Sequence, residues 1–319
     1  MPLTDLLSLF LLISIAIAIW YLARYLKVFS YREIEEASAQ NLLVPGVLGE
    51  ESFHNFEGES LYYIYRRNLK AQKTIVLLHG IGASSYCYRL LSPLLEKDYS
   101  VLMVDLLGFG KSSKNAKLDL NVKLHCSAIH SLVQKLELNN VAVLGSSMGG
   151  AISLYLASFH PNTYSEVIGI SPALALKRLS FFHLPTLAGL AKGIGRQLVT
   201  RDFIRKQLLN VYSDRSLITE DVIENYFEPY RNNVDAMLCL LHSTSVMKNS
   251  RSWEELKDLE ARVLILWGEK DKVTPIRHKS RFQKHFPGWK IKVHPKAGHH
   301  VQEDSPEWVA SVVDAFLKK

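Results

Sequence analysis

Cysteine is scarce in this chain of 319 residues: there are three, Cys87, Cys126 and Cys239. Their number is odd, their spacings are wide, and no Cys-x-x-Cys occurs, which argues against a disulfide framework and against a cysteine-based zinc site. Free thiols are compatible with a reducing compartment. There is no Gly-x-y period, heptad run or longer repeat, so collagen, coiled coil and solenoid are excluded. A dinucleotide fingerprint, a phosphate-binding Walker loop and a His-Glu-x-x-His helix are also missing. No metal and no organic cofactor is therefore expected. Charged residues are 22% against 48% hydrophobic, which rules out a mostly disordered chain. Lys plus Arg number 38 and Asp plus Glu 31, a net +7. That excess is too diffuse for a nucleic-acid groove but favours an anionic membrane surface.

The N-terminus carries a long hydrophobic run. From Leu6 to Ala23 the sequence LLSLFLLISIAIAIWYLA holds no charge, near the lower length limit for a membrane-spanning helix. Trp20, Tyr21 and Tyr25 stand where an interfacial aromatic belt belongs. A cleaved signal peptide is the competing reading, but its basic leading segment is missing, since Asp5 is the only early charged side chain. Residues 1–26 are thus expected to be a transmembrane anchor and 27–50 a juxtamembrane connector. Arg24, Lys27 and Arg32 follow the run and no Lys or Arg precedes it. The positive-inside rule then places the main domain in the cytoplasm.

Beyond the connector the pattern changes. Two strands are expected near Ser52–Phe56 and Leu61–Arg66, joined by a Glu57-Gly58-Glu59 turn. TIVLLHG, VLMVDLLGFG, VAVLGSSMGG, EVIGIS, RVLILWGEKD and IKVHPKAGHH then each read as a short apolar strand and a turn. Such near-continuous apolar runs suit a parallel sheet covered on both faces. Helical patterns lie between most of them, over Tyr86–Glu96, Asn121–Glu137, Ala151–His160, Pro275–His285 and Pro306–Leu317. The alternation predicts an α/β fold with a doubly wound, mostly parallel sheet. About eighty residues separate EVIGIS from RVLILWGEKD, too many for a structureless loop. FIRKQLLNVY, TEDVIENYFEPY and NVDAMLCLLHSTSV within them are helix-like, so a helical cap is expected over 172–252. It divides the core into 51–171 and 253–319. An apolar stretch early in the cap, with Phe181 and Phe182 beside Lys177 and Arg178, suits contact with a membrane surface.

Gly145-Ser146-Ser147-Met148-Gly149 is a Gly-x-Ser-x-Gly between an apolar strand and a helix. In that context a tight turn exposes a serine above the sheet, and flanking glycines let the helix approach the strand. A serine hydroxyl needs a base to become a nucleophile. His299, directly after the last strand, is the expected base, with His300 as its competitor. Gly298 is taken to free the backbone that presents it. Asp271, after the preceding strand, is the expected carboxylate that orients it, ahead of Glu269 and Asp105. Chain order is then Ser147, Asp271, His299. His79-Gly80-Ile81-Gly82 ends a strand as well, and the Ile81 and Met148 amides are expected to form an oxyanion hole. The His79 imidazole is read as a turn residue.

These motifs, in this order, resemble the α/β-hydrolase superfamily over about Ser52–Lys319. With the N-terminal run and the cap, the chain is similar to membrane-anchored monoacylglycerol lipases of the α/β-hydrolase-domain group. The resemblance implies an α/β-hydrolase fold and a serine hydrolase that cleaves lipid-derived carboxylic esters through an acyl-enzyme. Relatives with an aspartate nucleophile are excluded by Ser147. Two alternatives stay open: a cofactor-free carbon–carbon hydrolase of the same fold, and a non-catalytic membrane scaffold.

Overall fold

The computed structural model describes residues 47–174, 199–249 and 253–318. They belong to one unit, Gly46–Lys319. The expected anchor, most of the connector and the Phe181–Phe182 stretch lie outside the described residues. Among the described residues no helix is long and apolar enough to cross a membrane.

Eight strands form one sheet in the order β1-β2-β4-β3-β5-β6-β7-β8. They are β1 Val47–Phe56, β2 Glu59–Asn68, β3 Thr74–Leu78, β4 Ser100–Val104, β5 Val141–Ser146, β6 Tyr164–Ile170, β7 Arg262–Gly268 and β8 Lys290–His294. β2 runs antiparallel to β1 and β4, and the remaining pairings are parallel. The two N-terminal strands are longer than the pattern predicts, because antiparallel pairing from Val47↔Asn68 to Phe56↔Glu59 satisfies polar positions too. β3, β4 and β5 are buried at every residue. That is the two-sided burial their apolar runs require. β8 differs: Lys290 and Lys292 are exposed, and charge on an edge strand discourages pairing with another chain.

Nine α-helices occur among the described residues: α1 Ser92–Leu95, α2 Val122–Lys135, α3 Met148–Phe159, α4 Arg201–Val211, α5 Glu220–Phe227, α6 Val234–Asn249, α7 Lys279–His285, α8 Val301–Asp304 and α9 Pro306–Leu317. The single helix expected over Tyr86–Glu96 is instead a 3₁₀ turn, Ser85–Tyr88, followed by α1. Pro93 has no N–H to donate inside a longer helix and sits in the first turn of α1, where none is needed. The segment expected as a helix over Pro275–His285 likewise opens with a 3₁₀ turn, Ile276–His278. Capping explains other boundaries. Asn121 Oδ1 accepts from Leu124 N at 2.9 Å, and Thr200 Oγ1 from Phe203 N at 3.1 Å. α4, α5 and α6 lie in the insertion between β6 and β7, where the sequence places the cap.

Candidate active site

The carboxyl ends of β3, β5, β7 and β8 bring the candidate residues to one edge of the sheet. At the end of β5, Ser147 has φ 54° and ψ −113°, a strained conformation for a residue with a side chain. The strain is held by sterics and backbone bonds. Ser147 N donates to Ile170 O at 2.8 Å, and Ala173 N donates to Ser147 O at 2.9 Å. A Cβ on Gly149 would sit 2.1 Å from Leu78 O, and one on Gly145 would sit 2.1 Å from Gly149 O. No other residue lets α3 start this close to β3 and β5. Ser146 points elsewhere: its hydroxyl lies 3.4 Å from Gln302 Oε1.

Asp271 and His299 are joined directly. His299 Nδ1 donates to Asp271 Oδ2 at 2.9 Å. Asp271 Oδ1 accepts from Val273 N at 2.8 Å and Thr274 N at 2.9 Å, and Oδ2 accepts from Thr274 Oγ1 at 2.7 Å. Both side chains are buried. Burial opposes the charge on Asp271, but the His299 charge, its hydrogen bond and the Thr274 donors outweigh that and hold the carboxyl below its ordinary range. An ionised Asp271 fixes the tautomer with the proton on Nδ1, which leaves the Nε2 lone pair to accept a proton. Thr274 Oγ1 lies 3.4 Å from Ser171 O, so the pair is tied to the segment that holds the Ser147 backbone. No hydrogen bond joins Ser147 Oγ to His299 among the described residues.

The other expected residues separate cleanly. The His79 imidazole is fully buried, accepts Leu106 N at Nε2 (2.9 Å) and so donates from Nδ1 to Gly80 O (2.7 Å). Burial depresses its pKa, so it is a neutral brace of the loop that carries Ile81. Asp105 accepts from Ser85 N and Lys111 N, each at 2.7 Å, and braces its own turn. Glu269 is exposed. The Ile81 and Met148 amides donate to no acceptor among the described residues. His300 does not face Asp271; its Nδ1 donates to Glu303 Oε1 at 2.9 Å.

Glu303 is the residue sequence reasoning missed. It is 1% exposed and gathers four donors. Besides His300 it accepts from Tyr212 OH (2.5 Å), Tyr226 OH (2.6 Å) and the Arg89 guanidinium. Burial again opposes its charge, and His300, Arg89 and the tyrosine donors hold its pKa below the ordinary value. Tyr212 and Tyr226 belong to the cap, so this carboxylate fastens the cap to the histidine loop. His299 N and His300 N both donate to Val211 O, at 2.8 and 3.2 Å. Gly298 permits that approach, since a Cβ there would sit 2.7 Å from Val211 O. Its φ is not positive, so closeness to the cap, not backbone freedom, is what it provides. Asp304, five residues after His299, accepts from Gly298 N, Ser213 N and Asp214 N. The only sequence signal for Glu303 was its place three residues after a histidine.

Comparison with known proteins bears on the family and the fold. The chain is 27% identical over 272 residues to the uncharacterized hydrolase YugF of Bacillus subtilis, covering 82% of this chain and 96% of that protein. It is 25% identical over 256 residues to a 2-hydroxy-6-oxo-6-phenylhexa-2,4-dienoate hydrolase of Burkholderia cepacia, covering 78% and 88%. Among solved structures, a bacterial membrane phospholipase A superposes with a TM-score of 0.74 at 23% identity, over 99% of this chain and 98% of the other. That likeness is one of fold. The family model of the alpha/beta hydrolase fold matches residues 73–306, and with β3 through the histidine loop inside that span, the chain belongs to the α/β-hydrolase fold family.

Proposed function

We propose that the protein is a membrane-anchored serine hydrolase that cleaves carboxylic esters, lipid-derived ones in particular. The observation that carries the reading is the strained Ser147 elbow after β5 together with a buried His299–Asp271 pair after β8 and β7, all at the carboxyl ends of strands of one sheet. Ser147 Oγ attacks the ester carbonyl and passes its proton to His299 Nε2, which returns it to the leaving alcohol. Asp271 holds the tautomer and stabilises the imidazolium. The Ile81 and Met148 amides receive the oxyanion, and water then cleaves the acyl-enzyme. No cofactor enters these steps.

Membrane attachment rests on the uncharged 6–23 run, and the basic residues after it favour a cytoplasmic catalytic domain. Tethering lets the enzyme meet lipid esters in two dimensions. Deleting residues 1–26 should move the protein to the soluble fraction while short esters are still cleaved. Retention of the shortened chain on membranes contradicts the anchor.

The decisive experiment is labelling by a fluorophosphonate, followed by a panel of esters. An activated serine labels; a scaffold does not. A second reading, carbon–carbon bond hydrolysis, is favoured by the similarity to the Burkholderia cepacia enzyme. Faster cleavage of a vinylogous diketone than of any ester would select it.

A further inference from the structure

Buried tyrosines in this protein have partners. Tyr88 OH donates to Leu78 O at 2.8 Å, and Tyr212 and Tyr226 donate to Glu303. Tyr230 breaks the pattern. It is 5% exposed, yet its hydroxyl has no hydrogen-bond partner among the described residues. A tyrosine hydroxyl buried without an acceptor is costly and calls for an explanation.

Its position gives one. Tyr230 ends the 3₁₀ turn Glu228–Tyr230 between the cap helices α5 and α6. The hydroxyl lies 3.8 Å from the point where a Cβ on Gly82 would stand, and Leu240 Cδ1 of α6 lies 3.6 Å from the same point. Gly82, at φ +76°, directly follows Ile81, whose amide is unspent. The cap thus sets a lone donor over the loop that carries a proposed oxyanion donor. Burial pushes the phenol pKa up, so the group keeps its proton and can only donate or accept as a neutral hydroxyl.

From this juxtaposition we infer that Tyr230 is a further catalytic residue, a cap-borne donor to the ester carbonyl oxygen as negative charge develops on it. The inference rests on the acyl-transfer reading above. A preorganised donor of this kind, held without a competing partner, needs no reorganisation when charge appears. Its cost falls on the free protein, as an unsatisfied buried hydroxyl.

Tyr230→Phe removes the hydroxyl and little else. On a soluble short-chain ester, kcat should fall about 10- to 100-fold with KM nearly unchanged, the mark of an interaction made in the transition state. The melting temperature should hold or rise, because no protein hydrogen bond is lost. Endpoint fluorophosphonate labelling should reach the same stoichiometry as in the unsubstituted enzyme. An unchanged kcat, a loss carried by KM alone, or a lowered melting temperature each overturns the inference and leaves the ester-hydrolase reading standing. Failure of the unsubstituted enzyme to label strikes that reading instead, and this one with it.

Discussion

The two halves of the candidate site are built by different means. On the serine side, position is set by backbone: Ser147 is held by three main-chain hydrogen bonds and by glycines that admit no Cβ. On the histidine side, position is set by polar side chains and by the cap. His299 is fixed by Asp271 through its ring and by Val211 through its amide, and its neighbour His300 by Glu303. Sterics within a packed core give a nearly fixed element, whereas a network shared with an inserted cap gives one whose stability follows the cap's docking. The candidate nucleophile is thus placed by main chain and sterics, and the candidate base by side chains and the cap.

The sharpest way to probe the serine side is chemical. Ser147→Ala should lower ester kcat by about 10⁶-fold with stability changed by no more than about 0.5 kcal/mol, since the hydroxyl makes no hydrogen bond among the described residues. Paired turnover and melting measurements check it. Asp271→Asn attacks the histidine side and should cost about 10⁴-fold in kcat, by favouring the wrong tautomer; a larger loss from Glu269→Gln would show that the wrong carboxylate is assigned.

Gly149→Ala tests whether sterics alone hold the elbow. A methyl 2.1 Å from Leu78 O should destabilise the protein by about 3 kcal/mol or more, read by denaturant unfolding. Glu303→Gln tests the other side. It should cost roughly 2–3 kcal/mol, less than a fully buried ion pair because Arg89 is partly exposed. Hydrogen exchange should then rise at 201–249 and at His299, with the Ser147 amide still protected. The Glu303 pKa is depressed from 4.5, so its contribution is complete above that pH and is lost as pH falls through the lower folded value. Melting temperature should drop on acidification below pH 4.5 in the native protein and fall less steeply in Glu303→Gln. The smallest effect belongs to Ser146→Ala, a change of a few-fold at most in turnover, because that hydroxyl faces Gln302 and not the site.

Sequence made the serine side almost fully legible. Its determinants are local: an apolar strand, five residues with glycines at fixed spacing, and a helix. The strand alternation likewise exposed the sheet, since β3 to β7 are buried on both faces and read as apolar runs. The histidine side was legible only in part. Position after a strand singled out Asp271 and His299, but only the His300 contact of Glu303 has a spacing to announce it. The four donors to Glu303 come from positions 89, 212, 226 and 300, and only the last is a neighbour in the chain. The helix boundaries shift near prolines: Pro93 sits in the first turn of α1, after the separate 3₁₀ turn Ser85–Tyr88, and Pro275 caps the 3₁₀ turn Ile276–His278.

Synthesis proceeds from the N-terminus, so a ribosome finishes the Ser147 elbow long before it makes His299. The main-chain partners of Ser147 at Ile170 and Ala173 are likewise made well before the histidine loop. Tyr212, Tyr226 and the Val211 carbonyl are translated next, and the histidine loop arrives last, onto acceptors and donors that are already waiting. The contacts that hold the histidine loop to the cap therefore close last, with the final stretch of chain to be made.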